Sequence, residues 1–129
     1  MGIVGAKQAK PPWIPSQKPW PKRDGVFRFT VEQTYQLHEL GFFDDRHVQL
    51  LEGVLYELTM LPPHAIATQL AWRVIQAIFN HDCHARHQLP IDLGRRSLPE
   101  PDIAVVAGAI RDYAERHPTT SLLVIEVSD

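Results

Sequence analysis

Beyond residue 22 the chain contains no lysine: all four stand at positions 7, 10, 18 and 22 of a 129-residue sequence. No ammonium side chain is therefore available to any site in the body of the chain. A single cysteine, Cys83, excludes an internal disulfide framework and fits a reducing compartment. No apolar run approaches the roughly 18 residues of a membrane-spanning helix. The opening MGIVGAKQAKPP lacks the apolar region of a signal peptide, and Ala6 stands where a myristoylation signal needs Ser or Thr. Together these absences lead to the expectation of a soluble, cytoplasmic protein without membrane contact.

What is present suffices for one modest domain. Hydrophobic residues make up 44% of the chain and charged residues 22%, the balance of an ordinary globular core and surface. The net charge of −2 hides an asymmetry: residues 1–28 carry six of the thirteen basic residues and one of the fifteen acids. Within this leader, KPPWIPSQKPWPKRDG has prolines at 11, 12, 15, 19 and 21, too many for a helix or a central strand. Residues 1–25 are accordingly expected to form an extended, mobile tail closed by a turn at Asp24-Gly25, and residues 26–129 the domain. The basic tail reads first as a solubilising leader, and second as a weak, sequence-independent phosphate contact. Trp13 and Trp20 are expected to lie over the body's surface.

Within the body, RFTVEQTYQLHELG predicts a helix that starts at Thr30, with Gln33 completing a capping box and Gly41 ending it. Val31, Tyr35, Leu37 and Leu40 would form its apolar stripe. HVQLLEGVLYEL predicts two strands joined by a short turn at Glu52-Gly53. PPHAIATQLAWRVIQAIFNH predicts a long helix with Pro63 in its first turn and Ile66, Leu70, Val74, Ile75 and Ile78 on one face. A short edge strand is expected over HQLPIDL, a buried strand over 102–106, a helix over Ile110–Arg116 and a last strand over 121–127. The fold class is thus mixed α/β.

Two of these strands carry acids. Asp102 opens EPDIAVV and Glu126 sits in LLVIEVSD, each on an otherwise aliphatic strand. Alternation places Asp102 on the face of Ala104 and Val106, and Glu126 on the face of Val124 and Ser128. If the strands are neighbours, the two carboxylates converge. At close quarters they repel, so one takes a proton or a cation lies between them. A hard divalent ion with oxygen ligands suits that position, Mg²⁺ or in its place Mn²⁺. The alternative is that each acid merely caps a strand end facing water.

Pro101-Asp102 followed by Glu126, 24 positions later, resembles the PD-(D/E)XK restriction-endonuclease-like superfamily, and within it a family of small stand-alone endonucleases. RFTVEQTYQLHELGFF, LLEGVLYEL, PPHAIATQLA, EPDIAVV, DYAERHP and LLVIEVSD stand in that family's order and spacing. The resemblance implies a restriction-endonuclease-like core, a central mixed sheet flanked by helices. It implies Asp102 and Glu126 as metal ligands on antiparallel strands, DNA as partner and phosphodiester hydrolysis as the ancestral chemistry. His64 matches a histidine common in that family and is expected near the metal centre, or in a capping or packing role.

Three departures qualify these expectations. Ser128 stands at the lysine position of the motif, and the chain ends at Asp129, where the family continues; the domain is expected to be incomplete at its C-terminal end. Gln49 replaces a glutamate four residues before the hairpin glycine, and is a neutral, weaker oxygen donor. Glu52 either substitutes for it as a metal ligand or is a turn residue. Finally, strand 121–127 is apolar on both faces apart from Glu126, which calls for cover on both sides; left bare, its edge invites pairing with a second copy in a homodimer.

The cluster HDCHARH is contiguous, whereas structural zinc sites use separated ligand pairs, so it is read as a solvated helix end. Arg95 and Arg96 are read as solvated surface, with phosphate contact as the alternative. Two functions follow. One is a Mg²⁺-dependent DNA endonuclease domain, with Asp102, Glu126, Gln49, Glu52 and His64 as the site and weak or no activity in this chain. The other is a non-catalytic remnant serving as a binding or oligomerisation module.

Overall fold

The computed structural model describes residues 25–128. The tail expected over residues 1–25, with Trp13 and Trp20, therefore lies outside the described residues except for Gly25. Thr30 caps α1 (Val31–Glu39) as the sequence implies: its Oγ1 accepts from the Gln33 N–H at 3.1 Å, and the Gln33 Oε1 accepts from the Thr30 N–H at 3.0 Å. Two otherwise orphaned donors are satisfied reciprocally. The helix does not bury its apolar stripe, however. Gln33 and Thr34 face inward while Tyr35 and Leu40 are exposed.

β1 (Val48–Leu51) and β2 (Val54–Glu57) form an antiparallel hairpin, with Leu51 opposite Val54 across the two-residue turn Glu52-Gly53. Both turn residues have positive φ, 48° and 83°, the requirement of the turn whose twist matches paired strands. Glycine is needed at 53 for a second reason: a Cβ there would meet that of Arg28 at 2.6 Å. The turn is locked from outside. The Gly53 N–H donates to the Arg96 carbonyl, the Phe29 N–H to the Gly53 carbonyl, and the Val31 N–H to the Arg95 carbonyl, at 2.7–2.8 Å. Arg95 and Arg96 thus hold α1 and the hairpin together through their backbone.

α2 (Pro62–Ile78) follows, then β3 (Cys83–His87), β4 (Ile103–Ala107) and β5 (Leu123–Ile125), which form a three-stranded antiparallel sheet in the order β3-β4-β5. Among the described residues every strand pairing is antiparallel. An isolated β-bridge, Leu50 to Leu98 on the lead-in to β4, joins the hairpin to the approach to the larger sheet. The core lies on β4, where Ile103, Ala104, Val105 and Val106 are each no more than 1% exposed, with Leu50, Ile91 and Leu98 beside them. This is a mixed α/β fold.

Four local expectations need correction. HDCHARH is not a helix end: α2 stops at Ile78, and Cys83–His87 is the edge strand β3. Strand alternation sends His84 and His87 to opposite faces. The His84 Nδ1–H donates to the Gly108 carbonyl at 2.8 Å, while the His87 ring lies 5.9 Å from that of Trp72. The edge strand expected over HQLPIDL consequently ends at His87, and residues 88–93 run irregularly, because Pro90 has no N–H to donate to a ladder.

The helix expected over Ile110–Arg116 is a single 3₁₀ turn, Ile110–Tyr113, held by the Ala109 N–H on Asp112 Oδ2 at 2.8 Å and by the Tyr113 hydroxyl on the Ala107 carbonyl at 2.7 Å. On α2 the wrong face was expected to be buried. Ile66, Leu70, Val74 and Ile78 do share a face, but each is 58–63% exposed; the inward face carries Thr68 and Trp72 toward β3. A helix apolar nearly all round offers two candidate faces, and periodicity alone does not choose between them.

Candidate active site

β4 and β5 pair with Ile103 opposite Ile125 and Ala104 opposite Val124, so the next position outward sets Asp102 opposite Glu126. Alternation then brings both carboxyls to one side, as expected from the sequence. Three hydrogen bonds fix the pair. The Val127 N–H donates to Asp102 Oδ2 at 2.8 Å, the Asp102 N–H donates to Glu126 Oε2 at 3.4 Å, and His64 Nε2 meets Asp102 Oδ1 at 3.1 Å. His64 reaches the pair from the first turn of α2, where Pro62 and Pro63 lack the N–H groups that a helix start normally leaves unsatisfied. Asp102 is only 9% exposed, and Glu126 sits at the open end of the edge strand.

The two acids titrate in opposite directions. Burial pushes Asp102 upward, but the Val127 N–H, His64 and a hydrogen bond from Glu126 together hold it below the ordinary aspartate value. Burial pushes Glu126 upward and the neighbouring charge of Asp102 adds to this, against the bond from the Asp102 N–H, so it ends above the ordinary glutamate value. Of the two carboxyls, Glu126 is the one whose protonated form the site favours more. This is how a like-charged pair relaxes when no cation lies between its members.

The structure separates the remaining candidates. Gln49 accepts from the Glu100 N–H at 3.1 Å through Oε1 and so braces the segment leading into Asp102. Glu52 has the contacts of a turn residue: its N–H donates to Ser97 Oγ at 2.9 Å, and its carbonyl accepts from Arg28 at 3.2 Å. Beside the pair lies a feature missed in the sequence. Glu100, two positions before Asp102, forms an ion pair with His47 at the start of β1. Burial raises the Glu100 pKa, and the His47 contact only partly opposes this. The signal was the spacing Glu100-Pro101-Asp102, two acids one residue apart at a strand mouth.

Among the described residues no three His, Cys, Asp or Glu side chains gather closely enough to hold a metal by themselves. The donor chemistry nevertheless fits a hard divalent ion. Mg²⁺-type sites commonly use one or two carboxylates and leave the other positions to water and phosphate oxygen. Asp102 and Glu126, on neighbouring strands, can supply that pair of carboxylates.

The α/β core and the carboxylate pair at the mouths of two antiparallel strands define a protein of restriction-endonuclease-like class. Residues 31–129 match the Uma2 family model, "Putative restriction endonuclease", and the chain belongs to that family. Comparison with curated proteins and with solved structures finds no match. Restriction-endonuclease-like proteins as a class act on DNA and generally use divalent metal ions.

Proposed function

We propose that the domain is a Mg²⁺- or Mn²⁺-dependent endodeoxyribonuclease site in which Asp102 and Glu126 hold the ion. The observation that carries this reading is the juxtaposition of two carboxyls on adjacent strands, Asp102 held by the Val127 N–H and His64 and Glu126 accepting from the Asp102 N–H. When bound, a divalent ion would supply a polarised water and stabilise charge on a phosphate oxygen. Asp102 is oriented by Val127 and His64, and Glu126 supplies the second carboxylate. His64 keeps the Asp102 carboxylate in one rotamer, and Gln49 fixes the backbone two residues upstream. Glu52 keeps the hairpin turn in place.

Ser128 favours a second reading, binding without cleavage. It stands two residues after Glu126, where the superfamily motif has lysine, and a hydroxyl carries no charge to place against a developing phosphate anion. Losing one such stabilising donor costs roughly a hundred- to a thousand-fold in rate. The expected result is therefore cation binding with cleavage near background.

The test is a plasmid-nicking assay with Mg²⁺ and Mn²⁺, run beside a thermal-shift titration on the parent chain, Asp102→Asn and Ser128→Lys. The parent should gain thermal stability with Mn²⁺, Asp102→Asn should not, and Ser128→Lys should raise nicking in a manner that requires Asp102. A Mn²⁺ shift that survives Asp102→Asn places the ion elsewhere and ends the proposal. Cation binding with no gain from Ser128→Lys selects the non-catalytic reading.

A further inference from the structure

Arg86 is a buried charge without a counter-charge. It stands on β3 with 7% exposure, and among the described residues no carboxylate lies within ion-pair distance of it. A guanidinium has several N–H donors, yet the Arg86 hydrogen bonds come from Nη2 alone, to the Pro90 carbonyl at 3.2 Å and to His117 Nδ1 at 3.5 Å. Its Nε is buried with no partner, and its central carbon lies 5.6 Å from the centre of the Tyr113 ring. A buried cation left in this state is costly. Tyr113 and His117, the two side chains set against it, are also walls of a cavity of about 360 Å³, which Tyr35, Asp92, Glu115 and Arg116 line as well. His117 joins the charge to the cavity. Its Nδ1 accepts from Arg86, which assigns the ring proton to Nε2. Burial, with the Arg86 charge behind it, keeps the ring neutral at pH 7 against the pull of Asp92. Nε2–H is thus a donor backed by a fixed positive charge.

We propose that this cavity binds hydrogen phosphate, with His117 Nε2–H and the Arg116 guanidinium as donors, Arg86 as buried counter-charge and Asp92 as acceptor of the ligand's own proton. An anion seated there supplies the charge that Arg86 lacks. The Tyr35 hydroxyl is a third donor in the wall, so the donors come from α1 and from the loop after β4 together. The acids narrow the choice among anions. Asp92 is pinned: its Oδ1 accepts from the Gly94 N–H at 3.0 Å, and its own N–H donates to the Pro118 carbonyl, next to His117, at 2.8 Å. Sulfate has no proton at neutral pH and would set bare oxygens against this carboxylate. Hydrogen phosphate keeps an O–H that donates to it. A phosphate ester at the same pH is mostly the proton-free dianion and is disfavoured for the reason that excludes sulfate. Glu115 is exposed to water, where salt screens its charge.

The test is a titration of the full chain at pH 7, without divalent metal, followed by imidazole nitrogen NMR and by calorimetry. Sodium phosphate, sodium sulfate and sodium chloride are compared at matched ionic strength, because phosphate and sulfate both stabilise proteins without binding to a site. Phosphate should move the His117 signal in a saturable way, sulfate should need a roughly tenfold higher concentration, and chloride should leave the signal in place. Arg116→Ala should weaken phosphate binding roughly tenfold or more, as loss of a charged hydrogen bond does. Asp92→Asn should erase the preference for phosphate over sulfate, because an amide can donate to either anion. Arg86→Met should remove binding; since a change at a buried position can cost the fold, the exposed Arg116 and the Asp92 variant carry the test independently. Equal responses to phosphate and chloride overturn the proposal, as does phosphate binding that survives Arg116→Ala unchanged. So does a phosphate response lost in Asp102→Asn, which places the anion at the carboxylate pair. A 5′-phosphorylated dinucleotide that binds more tightly than phosphate also overturns it, by assigning the cavity to a nucleic-acid end.

Discussion

β4 and β5 are adjacent strands of similar aliphatic composition in opposite circumstances. β4 is sealed on both faces, with none of Ile103, Ala104, Val105 and Val106 more than 1% exposed; on and beside β5, Leu122, Leu123 and Val124 are 37–66% exposed. Position in the sheet makes the difference: among the described residues β4 lies between two partners and β5 has one. An apolar run thus records what a strand tolerates, and its neighbours decide what it buries. The candidate site is built across this boundary. Asp102 belongs to the sealed strand, where fixed donors lower its pKa, while Glu126 belongs to the open strand and has a raised pKa.

The sharpest challenge to this contrast is a pair of truncations. Ile103→Ala should cost about 2–5 kcal/mol, the usual range for a buried aliphatic cavity. Val124→Ala should change stability by no more than about 0.5 kcal/mol, as exposed substitutions do. Urea melts of the two variants measure both values, and comparable losses would erase the distinction between the strands.

A smaller effect is expected at Thr68, which is fully buried on the inner face of α2 with a hydroxyl that has no hydrogen-bond partner. Thr68→Val should raise stability by about 1 kcal/mol by removing an unsatisfied polar group. A loss in the same melts would show that the hydroxyl is satisfied in solution.

The acids should differ in sign along the pH axis. Asp102 has a lowered folded pKa, so its stabilisation is fully present above the ordinary aspartate value of about 3.9 and is lost as pH falls through the folded value. Asp102→Asn should therefore lower the melting temperature at pH 7 and converge with the parent in acid. Glu126 has a raised folded pKa, so its contribution is present below about 4.3 and is lost as pH rises through the folded value. Glu126→Gln should accordingly match the parent in acid and melt slightly higher at neutral pH. Melting curves between pH 3 and pH 8 check both, and a shared direction would break the comparison.

Much of this architecture was legible because it rests on local chemistry. The Thr30/Gln33 box, the Glu52-Gly53 turn and the Asp102/Glu126 pairing each follow from a few residues whose geometry leaves little choice. What escaped depends on long-range contacts. Cys83–His87 has little strand propensity and becomes a strand because all five residues find partners in β4. Gln49 was read as a ligand because only the fold brings the Glu100 N–H to its amide oxygen, 51 positions away. Glu100 and His47, 53 positions apart, were invisible as a pair for the same reason. The inward face of α2 was hidden by a surplus of apolar residues, which left the choice to β3.

His64 gives the carboxylate pair mechanical reach. No side chain caps α2; its first turn is set by two prolines and by the bond from His64 to Asp102. The helix runs on for 17 residues, roughly 25 Å of stiff rod. It bears on β3, and its far side carries the line of Ile66, Leu70, Val74 and Ile78. Whatever occupies Asp102 Oδ1, a proton or a cation, therefore competes with His64 for the atom that ties the start of this rod to β4.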